Sequence, residues 1–246
     1  MAVWEKEWVM RRLLGIAAAV LMGLSAGAAV ADGRRGAVQS VPGWEAVGRL
    51  NIGGRAMCTA SLIAPDMVLT AAHCMYDIRT GRAVDPRSVQ FEAGLNGRQS
   101  KASRRVSKVA IHAGYQHGRT GQFQTGTDIA VLRLERPISA DVVRPLALAA
   151  PPERGARVDV MSYSHSNATS PRLQTACQVL VARQMSLITT CRVDLGASGS
   201  PVLQSRPGRA PQLVSVISSK AELGGKRVSL AAPLGHALQT LMRQAG

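Results

Sequence analysis

An all-β fold is what this sequence predicts, from two patterns and one exception to them. Short segments place apolar residues at every second position, as strands with one buried face do. Between them lie clusters of Gly, Pro, Asn and Arg such as "GLNGRQ" and "GYQHGRTGQ", which suit turns. The exception is the C-terminal "APLGHALQTLMRQ", where Leu234, Leu238 and Leu241 recur at helical spacing and predict one amphipathic helix. Many short strands with regular turns imply a sandwich or a barrel.

In chain order, Arg11-Arg12 precedes the uncharged apolar run "LLGIAAAVLMGL" and then Ala29-Val30-Ala31. A basic start, an apolar stretch and a small-residue cleavage site are the parts of a secretory signal over residues 1–31. Met10, directly before the Arg pair, offers an alternative start. The strongly apolar part is shorter than the ~20 residues that a spanning helix needs, so the mature chain from about Asp32 is expected to have no transmembrane segment. Residues 32–43 form an N-terminal segment in which Arg34-Arg35 offers a processing point for a short pro-segment. Alternating strands are expected at 49–52, 88–93, 105–111 and 157–163. More continuously apolar ones, "IAVLRL" at 129–134 and "LVSVIS" at 213–218, are expected to be buried on both faces. The Pro-containing stretch 146–158 lacks a period and suits a connection between two β-units of about 100 residues or less.

Four cysteines, Cys58, Cys74, Cys177 and Cys191, suit an oxidising compartment. Their spacing suggests the pairs 58 with 74 and 177 with 191, each closing a loop of about 15 residues worth roughly 3 kcal/mol. Four cysteines allow three connectivities, and spacing alone does not select one. The absence of CxxC argues against zinc, and His112, His117, His165 and His236 lack acidic or cysteine partners at ligand spacing, so no metal and no cofactor is expected.

The net charge is +15; residues 1–31 contribute +1, so the remainder carries +14. That field favours loose adhesion to anionic surfaces. Specific nucleic-acid binding is not expected: the 25 Arg and 5 Lys are scattered and aromatic residues make up only 3% of the chain. Asn167-Ala168-Thr169 matches a glycosylation acceptor, a motif too short to carry weight alone.

Three local patterns point to chemistry. In "CTASLIAPDMVLTAAHC" (58–74) two apolar strands flank a Pro65-Asp66 turn and lead to His73, beside a cysteine able to bridge back to Cys58. In "GTDIAVLRL" (126–134) Asp128 stands directly before an apolar strand, where a carboxylate can be shielded from water and accept the Nδ1 proton of a histidine. In "DLGASGSP" (194–201) Ser198 sits between small residues. Each alone suits a packed histidine, a strand-start cap or a serine in a turn. Together and in this order, "LTAAHC", "DIAVLRL" and "GASGSP" resemble the trypsin/chymotrypsin-like serine proteases and, in the drift around the serine, their bacterial secreted branch. An α/β-hydrolase is excluded, because its elbow is GxSxG and its histidine comes last.

The resemblance covers nearly all of the mature chain and implies two six-stranded antiparallel β-barrels with a C-terminal α-helix. The first, residues 44–150, would carry His73 and Asp128, and the second, residues 151–246, Ser198. It implies Ser198 as nucleophile, His73 as general base and acid, and Asp128 as the group that fixes the imidazole tautomer. The backbone N–H groups of Gly196 and Ser198 would form the oxyanion hole. The expected protein is thus a secreted or periplasmic serine endopeptidase, monomeric, acting on protein or peptide substrates. Ala197 stands where digestive relatives keep an aspartate that pairs with a newly cut N-terminus, so no such switch is expected. Arg192 occupies the place of the acid that binds basic side chains. With Arg192, Ser218, Ser219 and Lys220 at the primary pocket, acidic or small side chains are expected there rather than Arg or Lys. The rival readings are a protease-fold binding protein without turnover and a basic, surface-adhering structural protein.

Overall fold

Strands of alternating burial curl into two closed antiparallel barrels, in a computed structural model that describes residues 35–36, 38–205 and 209–246. The first consists of β2 (Val47–Ile52), β3 (Ala56–Ala64), β4 (Met67–Thr70), β5 (Val89–Ala93), β6 (Ala102–Ile111) and β7 (Ala130–Leu134), closed in the order β2-β3-β4-β7-β6-β5. The second consists of β8 (Arg157–Ser164), β9 (Asn167–Arg183), β10 (Ser186–Thr189), β11 (Pro201–Gln204), β12 (Gln212–Leu223) and β13 (Lys226–Pro233). It closes where β8 pairs with both β9 and β11. Closure leaves no long unpaired edge. The short β1 (Arg35–Gly36) adds to β9, Gly36 pairing with Leu173.

The alternating segments at 49–52, 88–93, 105–111 and 157–163 fall within β2, β5, β6 and β8 to within a few residues. Side chains at every second position turn inward, as the rows Val89, Phe91, Ala93 and Val158, Val160 show. Leu50, Leu62, Leu69, Phe91 and Leu132 fill the first barrel; Val160, Val179, Leu187, Val202 and Ile217 fill the second. Burying each such aliphatic or aromatic side chain is worth about 1.5–3 kcal/mol. β9, 17 residues long, was not apparent from periodicity because its burial does not alternate regularly. Ala176 interrupts it in the left-handed region at φ 57°, and the Asp159 carboxylate accepts the Ala176 N–H at 2.9 Å. Residues 122–127, expected within a turn-rich stretch, form the short helix α1 (Gln122–Thr127), too brief to show a period.

The C-terminal helix α2 (His236–Ala245) buries Leu238 and Leu241, as its spacing predicts. It packs on β6 and β7 of the first barrel, and Arg133 Nη1 donates to the Gly246 carbonyl at 2.7 Å. The segment 146–158 lies largely between the barrels in sequence, with β8 beginning at Arg157. Leu146 N–H bonds Leu62 O of β3, and Ala149 N–H bonds Leu213 O of β12, so the connection ties both barrels. Residues 1–31, read above as an export signal, lie outside the described residues, and so does Arg34 of the expected processing point. Among the described residues no helix is long and apolar enough to cross a membrane.

Thr59 on β3 holds the seam between the barrels. It is fully buried, its N–H donates to Ser198 O (2.8 Å), and its hydroxyl lies between Gly196 O (3.1 Å) and Tyr163 O (3.2 Å) as donor. The same oxygen accepts from Tyr163 N–H at 3.0 Å. Thr59→Val keeps the shape but strands that buried N–H, at a cost of about 1–3 kcal/mol. Denaturant unfolding should show this loss, with a fall in Tm of about 4–8 °C for a 2 kcal/mol change; an unchanged Tm would contradict the role assigned to the hydroxyl.

Candidate active site

His73 is delivered by β4. The strand ends at Thr70, and Ala71 and Ala72, both fully buried, lead into a tight turn over Ala72–Met75. Cys74 is bonded to Cys58 on β3, so the backbone on one side of the histidine is tied to the neighbouring strand. The second bridge joins Cys177 and Cys191, giving the two local pairs that spacing suggests. The sulfurs of Cys58 and Cys74 lie close to the His73 ring in a cluster of ligand type, but the disulfide consumes both.

Asp128 closes α1 directly before β7 and is 4% exposed. Its carboxylate receives three hydrogen bonds. His73 N–H donates to Oδ1 at 2.9 Å, the His73 Nδ1 lies 2.7 Å from Oδ2, and the Ser218 hydroxyl donates to Oδ2 at 2.6 Å. An unpaired carboxylate buried this far would cost several kcal/mol, and these three donors from two separate segments offset that cost. An acceptor-only carboxylate at 2.7 Å requires the proton on Nδ1, which leaves Nε2 as the basic nitrogen.

Ser198 lies in the turn between β10 and β11. Ala197 N–H bonds Asp194 O (3.0 Å), Ser200 N–H bonds Ala197 O (3.1 Å) and Gly199 N–H bonds Ile217 O (2.8 Å), so the loop is fixed on both sides of the serine. Gly199 has φ +80°, and a Cβ there would collide with Thr70 Oγ1 and Thr59 O, so the position tolerates glycine alone. Gly196 has φ +96°, and a Cβ would sit 3.0 Å from Ser164 Cα and 3.2 Å from His165 N. Among the described residues, the N–H groups of Gly196 and Ser198 donate to no protein acceptor. Ala197, in the place of a carboxylate in digestive relatives, is fully buried.

His73, Asp128 and Ser198 line one cleft of about 740 Å³. Ser218, Ser219 and Lys220 line it too, on the outgoing half of β12. Arg192 does not: its side chain is exposed and its N–H bonds Gln174 Oε1 at 2.7 Å, while Val193, Asp194 and Leu195 face the cleft. Glu222 joins Lys220 on the same wall, and both lie on the β12–β13 hairpin, whose Gly224-Gly225 turn takes positive φ at both positions.

The opposite wall was missed by sequence reasoning. The loop before α1 brings Tyr115, His117 and Arg119 to the cleft. The His117 ring stacks on Tyr76 with centroids 4.4 Å apart and planes within 7°, and the Tyr115 hydroxyl lies 3.3 Å from His117 Nδ1. Burial, and then the negative charge of Asp128, push the Tyr115 phenol well above its ordinary range and keep it neutral. The only signal in the sequence was the placing of Tyr115 and His117 ahead of the Asp128 segment, which carries no periodicity.

Known proteins place this architecture. In fold the chain is similar to a Glu endopeptidase solved in complex with MPD, with TM-score 0.70 and 18% identity over 86% of this chain and 95% of that one. It is also similar to a thermostable serine protease from an extremophilic microorganism, with TM-score 0.66 and 17% identity over 82% and 96%. It is 30% identical over 95 residues to the suppressor of tumorigenicity 14 protein homolog of Bos taurus. That match spans 38% of this chain and only 11% of the relative. The trypsin family model matches residues 33–237. With two six-stranded barrels and a match over most of its length, the chain belongs to the trypsin family.

Proposed function

We propose that this chain is a serine endopeptidase, and the observation that carries the reading is the Asp128 carboxylate holding His73 by two hydrogen bonds in the cleft that Ser198 lines. Ser198 attacks the scissile carbonyl while His73 Nε2 takes the hydroxyl proton. Asp128 keeps the imidazole in the required tautomer and stabilises the imidazolium. The N–H groups of Gly196 and Ser198 hold the oxyanion of the tetrahedral intermediate, where one donor is worth about 3 kcal/mol. His73 then passes the proton to the departing amine, leaving an acyl-enzyme that water hydrolyses by the same path in reverse.

The loop needs no new N-terminal ammonium in this reading, because Thr59 and Ile217 already hold it and Ala197 offers no counter-charge. The primary pocket, with Ser218, Ser219 and Lys220 and the apolar Ile188 and Val228, accepts small or acidic side chains. The division of the barrels at 150/151, a monomeric state, loose adhesion to anionic surfaces and export after cleavage near Ala31 belong to the same proposal. Two disulfides fit an oxidising, extracellular or periplasmic location.

Labelling with a fluorophosphonate probe tests the core of this reading: the wild type should react, and Ser198→Ala should not and should lose at least about 10⁴-fold in kcat. A correctly folded but unlabelled wild type would favour a protease-fold binding protein instead. Asp128→Asn, which reverses the tautomer preference, should lower kcat by about 10⁴ with the fold intact. Chains starting at Asp32, at Gly36 or with added residues in front should be equally active; a strict need for one terminus would contradict the proposed independence. In a peptide library, cleavage after Arg or Lys should be rare, and its dominance would refute the proposed pocket.

A further inference from the structure

A second cavity, of about 240 Å³, borders the serine loop and shares no lining residue with the main cleft. Its walls come from the β2–β3 hairpin, through Arg49, Asn51, Arg55 and Met57, and from the β8–β9 turn, through His165. The serine loop lies against two of these wall residues: a Cβ on Gly196 would lie 3.2 Å from His165 N and 3.3 Å from Met57 Cε. The charge of the cavity is one-sided. Among the described residues three basic side chains line it and no carboxylate does. Arg49 is held in place, with Nε on Glu92 Oε2 at 2.7 Å and Nη1 on Ala168 O at 3.0 Å, so Glu92 balances its charge from outside. Arg55 is exposed and in no ion pair among the described residues, and its backbone is fixed by Arg55 N–H on Ile52 O at 3.1 Å. The Asn51 carboxamide caps the same turn through Gly54 N–H at 3.0 Å.

We propose that this cavity binds the carboxylate of an acidic side chain on the leaving-group side of the scissile bond. The inference rests on the peptidase reading, in which the acyl part of the substrate occupies the main cleft. In that reading the residues after the bond leave the main cleft over the serine loop, whose Gly196 lies against the cavity-wall residues His165 and Met57, and each extended residue advances about 3.3–3.6 Å. A guanidinium recognises a carboxylate through paired, charge-assisted hydrogen bonds, and Arg55 has its donors free for one.

The test uses quenched peptides with one common acyl side, amidated C-termini, and Glu, Gln or Lys at each of the first three positions after the bond. At one of these positions the wild type should cleave the Glu peptide with kcat/KM about tenfold above Gln, and the Lys peptide should fall below Gln. Arg55→Ala should reduce the Glu/Gln ratio to below about twofold, and Arg55→Glu should reverse the order of Glu and Lys. Equal cleavage of the three peptides by wild type, or a Glu preference that survives Arg55→Glu, overturns this inference alone. A wild type that cleaves none of them and takes no fluorophosphonate label overturns the peptidase reading and this inference with it.

Discussion

A carboxylate taken out of water constrains the whole site. Asp128 is almost wholly buried, and a charge in that position persists only if the surrounding protein supplies donors. The donors come from the turn after β4, through the backbone and ring of His73, and from β12 of the second barrel, through Ser218. The first barrel alone therefore cannot complete the environment of its own aspartate. The barrels must dock in one relative position for the Ser218 hydroxyl to reach Oδ2 at 2.6 Å, and that same docking brings Ser198 to the cleft beside His73. Satisfying a buried charge and assembling the cleft are thus one structural requirement.

The serine loop is held by a second constraint of the same kind. In relatives with an aspartate beside the serine, an ammonium from the processed N-terminus can anchor the loop by charge. Here the neighbour is Ala197, buried and uncharged, and Thr59 of the opposite barrel holds the loop through its backbone N–H on Ser198 O and its hydroxyl on Gly196 O. Gly199 completes the fit, since only the absence of a Cβ lets the loop approach Thr70 and the Thr59 carbonyl so closely. Such contacts form as the barrels dock, whereas an ion pair to a cut terminus waits for proteolysis.

Much of this was legible in the residues because the determinants are local. Two-residue periodicity marked β2, β5, β6 and β8, helical spacing of Leu238 and Leu241 marked α2, and the cysteine spacing suggested the pairs that form. His73, Asp128 and Ser198 each stand within a run whose order and neighbours point to one family, and the structure brings them to one cleft. What was not legible depends on loop path. Arg192 was assigned to the pocket by counting back from Ser198, but side-chain direction after Cys191 follows the backbone bond from Arg192 N–H to Gln174, which turns the guanidinium to solvent and Val193 inward. The wall of Tyr115 and His117 comes from a long loop with no period, and its stacking on Tyr76 joins residues about forty apart in sequence.

The strong positive charge illustrates the same limit at the level of function. A balance of +15 spread over scattered arginines says little, because most of those side chains are solvated and individually weak in effect. The position of one of them matters more than their number. Arg55 sits on a tight hairpin turn with its backbone fixed, at a cavity whose His165 and Met57 lie against Gly196 and whose walls hold no carboxylate among the described residues. There a single charge acts over a few ångströms at a concave surface, where solvent screens it less than on an open face. Composition alone supports only loose adhesion to anionic surfaces. In the reading proposed above, geometry turns the same charge into a means of selecting substrates, because Arg55 lines a cavity whose Met57 and His165 lie against the loop that carries Ser198.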